Sequence, residues 1–138
     1  MKYRIFGKTG EKVSVLGYGN MRLPVVNNDY GHVDVQAAMK LVRHAIDNGV
    51  NYLDTSWPYH SGGFTGGDIR AGGSSEPFVG QGLKEVGRDK FFVASKLPIW
   101  LVETRADMDD FLEKQLKRLG TDYLDFYLVH SIRLCYTI

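Results

Sequence analysis

Gly49-Val50-Asn51-Tyr52-Leu53-Asp54-Thr55-Ser56-Trp57-Pro58-Tyr59 decides how this chain is read. Gly49 closes a helix, and Val50 to Asp54 is a short strand. Asp54 and Tyr59 then lie where that strand opens into its loop. Upstream, Ala38, Leu41, Val42, Ala45 and Ile46 recur at helical spacing behind Asp34, a good capping residue. Downstream, Ser75 is placed to cap a second helix, with Pro77 in its first turn. Phe78, Val79 and Leu83 face inward there, and Gly87 ends it. Phe91-Phe92-Val93-Ala94-Ser95 is almost continuously apolar, as a strand covered on both faces should be, and Lys96 follows it. Thr104 and Asp107 make a capping-box pattern ahead of Phe111, Leu112, Gln115, Leu116 and Leu119, which Gly120 stops. Tyr123 to Val129 is the last strand, and His130 follows it.

Toward the N-terminus, Lys2 to Phe6 alternates, Gly7-Lys8-Thr9-Gly10 is turn chemistry, and Val13 to Leu16 is extended again. This predicts a hairpin merging into the first buried strand near Val15 to Tyr18. The fold class is therefore α/β: an N-terminal β-hairpin plus four parallel β-strands with three intervening helices, joined by right-handed crossovers. Parallel strands of one sheet open onto one edge, so side chains at their carboxyl ends converge. Asp54, Tyr59, Lys96 and His130 should meet there. Residues 61–74 carry Gly62, Gly63, Gly66, Gly67, Gly72 and Gly73, which predicts a mobile loop beside Tyr59.

Composition narrows the function classes. A chain of 138 residues suits one domain but is short of the ~250 of a closed (β/α)8 barrel. Lys plus Arg number 17 against 16 Asp plus Glu, with no block of like charge, so no nucleic-acid partner is expected. The N-terminus lacks a signal-peptide h-region, and no apolar run approaches the ~20 residues of a membrane span. Cytoplasm is the expected location, without a membrane partner. The single Cys135 cannot form an internal disulfide. His32, His44 and His60 show no metal-ligand spacing, so no metal is expected. Gly7-Lys8-Thr9 is no phosphate loop, because Lys2 holds the required upstream glycine position. Gly17-Tyr18-Gly19 lacks the third glycine of a dinucleotide fingerprint.

The four converging residues suit carbonyl reduction. As hydride arrives at a carbonyl carbon, the developing alkoxide needs a proton from a positioned acid. Tyr59 can give it if the Lys96 cation stabilises the phenolate, and Asp54 would keep Lys96 charged and oriented. His130 would hydrogen-bond the carbonyl oxygen. The hydride must come from a cofactor, since no side chain supplies one. Trp57 and Trp100 either wall a carbonyl pocket or cover the sheet end. Taken singly, each residue has a plainer role: Tyr59 in loop packing, Lys96 where a strand meets solvent, Asp54 and His130 as turn and strand caps. Their joint order carries the inference.

Asp54-Thr55-Ser56-Trp57-Pro58-Tyr59, Ala94-Ser95-Lys96-Leu97 and Leu124-Asp125-Phe126-Tyr127-Leu128-Val129-His130 resemble, in order, the three catalytic segments of the aldo/keto reductase family. Phe6 to Gly10 with Leu16 to Pro24 is similar to its opening hairpin and first strand. The resemblance runs over residues 1 to 131 and implies one partial domain (1–138), about half of a (β/α)8 TIM-type barrel. On that reading the chain is truncated after the fourth strand, and the tail 132–138 departs from the family pattern. The resemblance also implies Tyr59 as general acid, Lys96 and Asp54 tuning it, and His130 orienting a small carbonyl substrate. NADPH is the implied cofactor, its nicotinamide near Asp54 and the loop Gly19, Asn20 and Met21. The family's adenine and 2′-phosphate segments belong to the barrel's second half. An alternative therefore stays open: an inactive half barrel, or a self-associating module in which two copies close edge to edge as a homodimer.

Overall fold

The computed structural model describes residues 1–62 and 67–132. Strands β1 (Tyr3–Ile5) and β2 (Lys12–Ser14) pair antiparallel as the hairpin. Strands β3 (Tyr18–Gly19), β4 (Tyr52–Asp54), β5 (Phe92–Leu97) and β6 (Phe126–Val129) form one parallel sheet in that order. Helices α1 (Val35–Asp47), α2 (Ser75–Val86) and α3 (Arg105–Leu119) are the crossovers between successive strands. This is the expected α/β architecture, a hairpin followed by four parallel strands and three helices. No helix among the described residues is long and apolar enough to cross a membrane.

The helix ends follow from local chemistry. Asp34 accepts a hydrogen bond from the Ala37 N–H at the start of α1. At α3 the Thr104–Asp107 capping box is complete, and Gly120 ends the helix in the left-handed region at φ 63°. The start of α2 differs from expectation. Its N-cap is Ser74, not Ser75, and no side chain caps it. The Ser75 hydroxyl turns inward instead, 2.8 Å from Thr55 Oγ1 and 3.0 Å from the Asn20 carbonyl. Tertiary partners claim a hydroxyl that at an N-cap would accept from the helix's own amides.

Two further expectations are corrected. The first barrel strand does not run from Val15 to Tyr18; it is Tyr18–Gly19 alone. Val15 still pairs with the hairpin through the Lys2 carbonyl, and Ser14 Oγ bonds the Leu16 carbonyl to bend the chain there. Val15 and Leu16 are exposed as a result. Leu41 is also exposed; α1 buries Ala38, Met39 and Val42 instead. Where it is described, the segment 61–74 makes several hydrogen bonds. Asp68 accepts from the Arg70 N–H, the Gly73 N–H donates to the Trp57 carbonyl, and Ser74 Oγ donates to the Gly31 carbonyl. Residues 63–66 lie outside the described residues, as do Cys135 and all of the 132–138 tail except Ile132.

Successive strand residues point to opposite faces. Leu53 and Val93 face the helices and form the core with Val42, Phe78, Val79, Leu83 and Leu119. At Gly80 an added Cβ would lie 2.6 Å from the Leu119 carbonyl, so only glycine lets α2 approach the end of α3 this closely. On the other face, Phe126 gathers Phe6, Tyr52 and Phe92, with ring centroids 4.5, 5.3 and 5.9 Å away. Two residues beyond Tyr52 on that face comes Asp54; four beyond Phe92 comes Lys96; four beyond Phe126 comes His130. One aromatic layer therefore underlies one polar layer.

Two buried polar assemblies hold the layers in place. Glu76, fully buried on the first turn of α2, accepts from Ser95 Oγ at 2.8 Å, Gln115 Nε2 at 2.6 Å and Arg118 Nε at 2.9 Å. Burial pushes its carboxyl up, and these bonds oppose that push. Arg118 also bonds the Gly73 carbonyl. The second assembly is His60, also fully buried, at φ 60°. Its Nε2 accepts from the Leu23 N–H at 3.1 Å, so its proton is on Nδ1, 2.8 Å from the Tyr30 carbonyl. Its ring stacks on Tyr30. His60 thus clamps the loop after β3 to the loop after β4, and burial lowers its pKa despite the Tyr30 carbonyl.

A folded-state pKa below the unfolded value of about 6.5 gives stability that is complete above that pH. It is lost as the pH falls through the folded value. Thermal unfolding from pH 7.5 down to pH 5 should therefore show a steeper fall in Tm for the native chain than for His60→Asn, which cannot titrate; parallel curves would contradict the clamp. Glu76→Ala should cost about 3 kcal/mol in urea denaturation, because it leaves the Arg118 guanidinium, mostly buried, without its carboxylate. A cost below about 1 kcal/mol, the scale of an exposed ion pair, would count against that account.

Candidate active site

Strand parity brings Asp54, Lys96 and His130 to the carboxyl edge of the sheet, and the turn after β4 folds Tyr59 back over them. The Tyr59 N–H donates to the Ser56 carbonyl in that turn. Lys96 Nζ lies 2.7 Å from Asp54 Oδ1, 2.9 Å from the Thr55 carbonyl and 3.1 Å from the Tyr59 hydroxyl. An ammonium has three protons and no lone pair, so these three acceptors use it fully. Tyr59 Oη accepts from Lys96, which leaves the phenol's own proton to donate elsewhere. The Lys96 side chain is 14% exposed and the Asp54 side chain 30%, so the ion pair sits at the rim of the sheet, not in the core.

His130 follows β6, and its N–H donates to the Leu97 carbonyl, continuing the ladder one residue past the strand. Its ring meets Tyr59 edge-on at 5.8 Å and Trp100 at 5.0 Å. Ser56 Oγ, fully buried, is 2.7 Å from His130 Nδ1. Burial lowers the His130 pKa, the Lys96 charge adds to that, and Asp54 opposes it. The imidazole is neutral at pH 7.

Tyr59 and His130 both open into a cavity of about 770 Å³ whose walls include Met21, Tyr30, Ile69, Ile99 and Trp100. Of the two tryptophans, Trp100 lines it. Trp57 does not. Its ring packs edge-on against Phe111 at 5.1 Å and under the Arg118 guanidinium, behind the loop. Phe111 and Arg118 both belong to α3, so that helix holds the Trp57 ring away from the cavity. Gly19, the last residue of β3, pairs with Asp54 across the ladder, and Met21 beyond it reaches the cavity wall. Asn20 is fully buried; its Nδ2 donates to the Asp54 carbonyl, while its Oδ1 has no partner among the described residues.

Sequence reasoning missed Ser56, His60, Tyr30 and Ile99. Ser56 acts through one tertiary hydrogen bond and His60 through two, and neither leaves a periodic trace. The arrangement can hold a cation against a phenol and offer that phenol's proton, with a neutral imidazole, to a molecule in a largely apolar pocket.

The chain is similar to known proteins over most of its length. The aldo/keto reductase family model matches residues 15–135. The aldo-keto reductase YhdN of Bacillus subtilis is 33% identical over 138 residues, a match covering 94% of this chain and 38% of that protein. The aldehyde reductase YPR1 of Saccharomyces cerevisiae is 36% identical over 124 residues, covering 88% and 31%. The crystal structure of the thermostable aldo-keto reductase Tm1743 superimposes with a TM-score of 0.69 at 31% identity, covering 96% of this chain and 44% of that one. The chain spans less than half the length of these relatives. With most of its length matched by the family model and its strands, helices and site residues arranged as described, the chain belongs to the aldo/keto reductase family.

Proposed function

We propose that this site reduces aldehydes or ketones to alcohols with NADPH, Tyr59 acting as general acid. The observation that carries the reading is the full use of the Lys96 ammonium. Its three protons go to Asp54, Thr55 and Tyr59, so the phenol meets a cation on one side and keeps its own proton for the cavity.

The end of β3 and the residues after it fit the reacting end of such a cofactor. Asn20 Oδ1 is a buried acceptor without a partner among the described residues, and a Cβ at Gly19 would meet nothing within 4 Å. Gly19, Asn20, Met21 and Asp54 would hold the nicotinamide, which supplies hydride when bound. The rest is the work of side chains. A carbonyl oxygen placed between Tyr59 and His130 receives hydrogen bonds from both. As negative charge grows on that oxygen, Tyr59 transfers its proton to it, and the phenolate left behind is stabilised by Lys96, which Asp54 holds in place. Solvent then returns a proton to Tyr59. Trp100 and Ile99 keep the pocket apolar, which favours carbonyl compounds of modest size and strengthens the fixed dipoles around them.

The test is NADPH titration, followed by quenching of tryptophan fluorescence, with turnover of a small aldehyde read from NADPH consumption. Saturable binding, weaker for NADH, is expected. Tyr59→Phe should retain binding and lose turnover by roughly 10²–10⁴-fold, the contribution of a positioned acid. Turnover by Tyr59→Phe at the native rate would overturn the reading.

A second reading concerns the 138-residue chain by itself. Strands β3 and β6 each have only one neighbour among the described residues, and Tyr127, Leu128 and Val129 on β6 are exposed. An open apolar edge of this kind pairs readily with another. Two copies would then close edge to edge, making self-association, not turnover, the property of the isolated chain. Sedimentation should show mass rising with concentration; a folded monomer across the whole range would exclude it.

A further inference from the structure

We propose that Ser56 is a positioning residue that fixes the tautomer of His130, placing the imidazole proton on Nε2 and presenting a donor to the cavity. The inference deepens the carbonyl-reduction reading and rests on it only for what that donor would meet.

The argument begins with a direction that heavy-atom distances leave open. Ser56 Oγ and His130 Nδ1 are 2.7 Å apart, and either could donate. Ser56 is fully buried, and its hydroxyl has no other hydrogen bond among the described residues. If Nδ1–H donated to Oγ, the hydroxyl proton would be left buried with no acceptor. If Oγ–H donates to Nδ1, only lone pairs on oxygen go unused. Buried donors without acceptors are far rarer and costlier than under-used acceptors. Ser56 therefore donates, and Nδ1 carries no proton.

The charge state completes the assignment. The groups facing the ring are Lys96, Asp54 and Tyr59, with Trp100 beside it. Burial and the Lys96 ammonium disfavour the imidazolium more than Asp54 favours it. A neutral imidazole whose Nδ1 accepts must hold its proton on Nε2, the ring nitrogen on the side away from Ser56. The edge-on rings of Tyr59 and Trp100 restrict the swing of the imidazole, so the Ser56 bond fixes its rotation as well as its proton. His60 provides an internal contrast. Its Nε2 accepts from Leu23 and its Nδ1 donates, so the two buried histidines hold opposite tautomers.

The experiment is a long-range proton–nitrogen correlation spectrum of the chain labelled with ¹⁵N-histidine at mildly alkaline pH, with His130 assigned through His130→Gln. The expected pattern is a protonated Nε2 and an unprotonated Nδ1 for His130, with the reverse for His60. Ser56→Ala should shift the two His130 signals toward each other as both tautomers become populated, and Ser56→Thr should restore the native pattern. A protonated Nδ1 in the native chain, or an unchanged His130 pattern in Ser56→Ala, would overturn the proposal. If Ser56→Ala does not fold, the native pattern alone decides. Neither NADPH nor aldehyde is added, so the outcomes separate. An inactive chain with the expected pattern contradicts only the reductase reading, and an active chain with Nδ1 protonated contradicts only the tautomer.

Discussion

The three hydrogen bonds of the Lys96 ammonium are the constraint on which the site depends. Burying most of a cation is costly unless its protons all find acceptors. Here one acceptor is charged, one is a backbone carbonyl and one is a phenol, drawn from a strand end, the residue after it and a loop. Strand β4 therefore has to end beside Ala94, within reach of the Lys96 side chain, and the loop after it has to return Tyr59 over the sheet edge. The short turn through Ser56 and Pro58, the inward Ser75 and the His60 clamp are all consequences of holding that return path. Remove the cation and the phenol loses its neighbour while the carboxylate loses its partner.

Beneath the sheet lies a second assembly that the chemistry does not touch. Glu76, Ser95, Gln115 and Arg118 join α2, β5 and α3. Gln115 Nε2 also reaches the Lys96 carbonyl at 3.2 Å, and Tyr127 closes the group through Gln115 Oε1 at 2.7 Å. The backbone of Lys96 is thus fixed from the helix side while its side chain is fixed from the other. Arg118 extends the same support to the loop through Gly73 and Trp57. Support of this kind keeps a flexible lysine stem in one place without occupying the cavity.

Much of this could be read from residues in order. The capped helices at Asp34 and Thr104 and the apolar run at Phe91 to Ser95 are local signals, and their order dictates a parallel sheet. The sheet in turn dictates that Asp54, Lys96 and His130 share an edge. Other features escaped for a common reason: they depend on partners far away in sequence. Ser75 reads as a cap until Thr55 and Asn20 claim its hydroxyl. Leu16 reads as a buried strand residue until the Ser14 side chain bends the chain away from the core. Trp57 lies two residues from Tyr59, and only the path of the turn shows that it faces α3. His60 looks unremarkable in a glycine-rich stretch, yet it is among the most completely buried side chains.

The alternation that stacks the polar layer on the aromatic one also governs how sequences of this kind can drift. Losing one residue from β5 would turn Lys96 toward the helices and bring a serine or leucine to its place. Losing two would keep its side but draw the ammonium back by roughly 7 Å, out of reach of the phenol. Strand lengths are thereby locked by parity and by height together. Insertions between the ladders meet neither restriction. Length changes in the loops around the cavity would leave Tyr59 and Lys96 in register with each other.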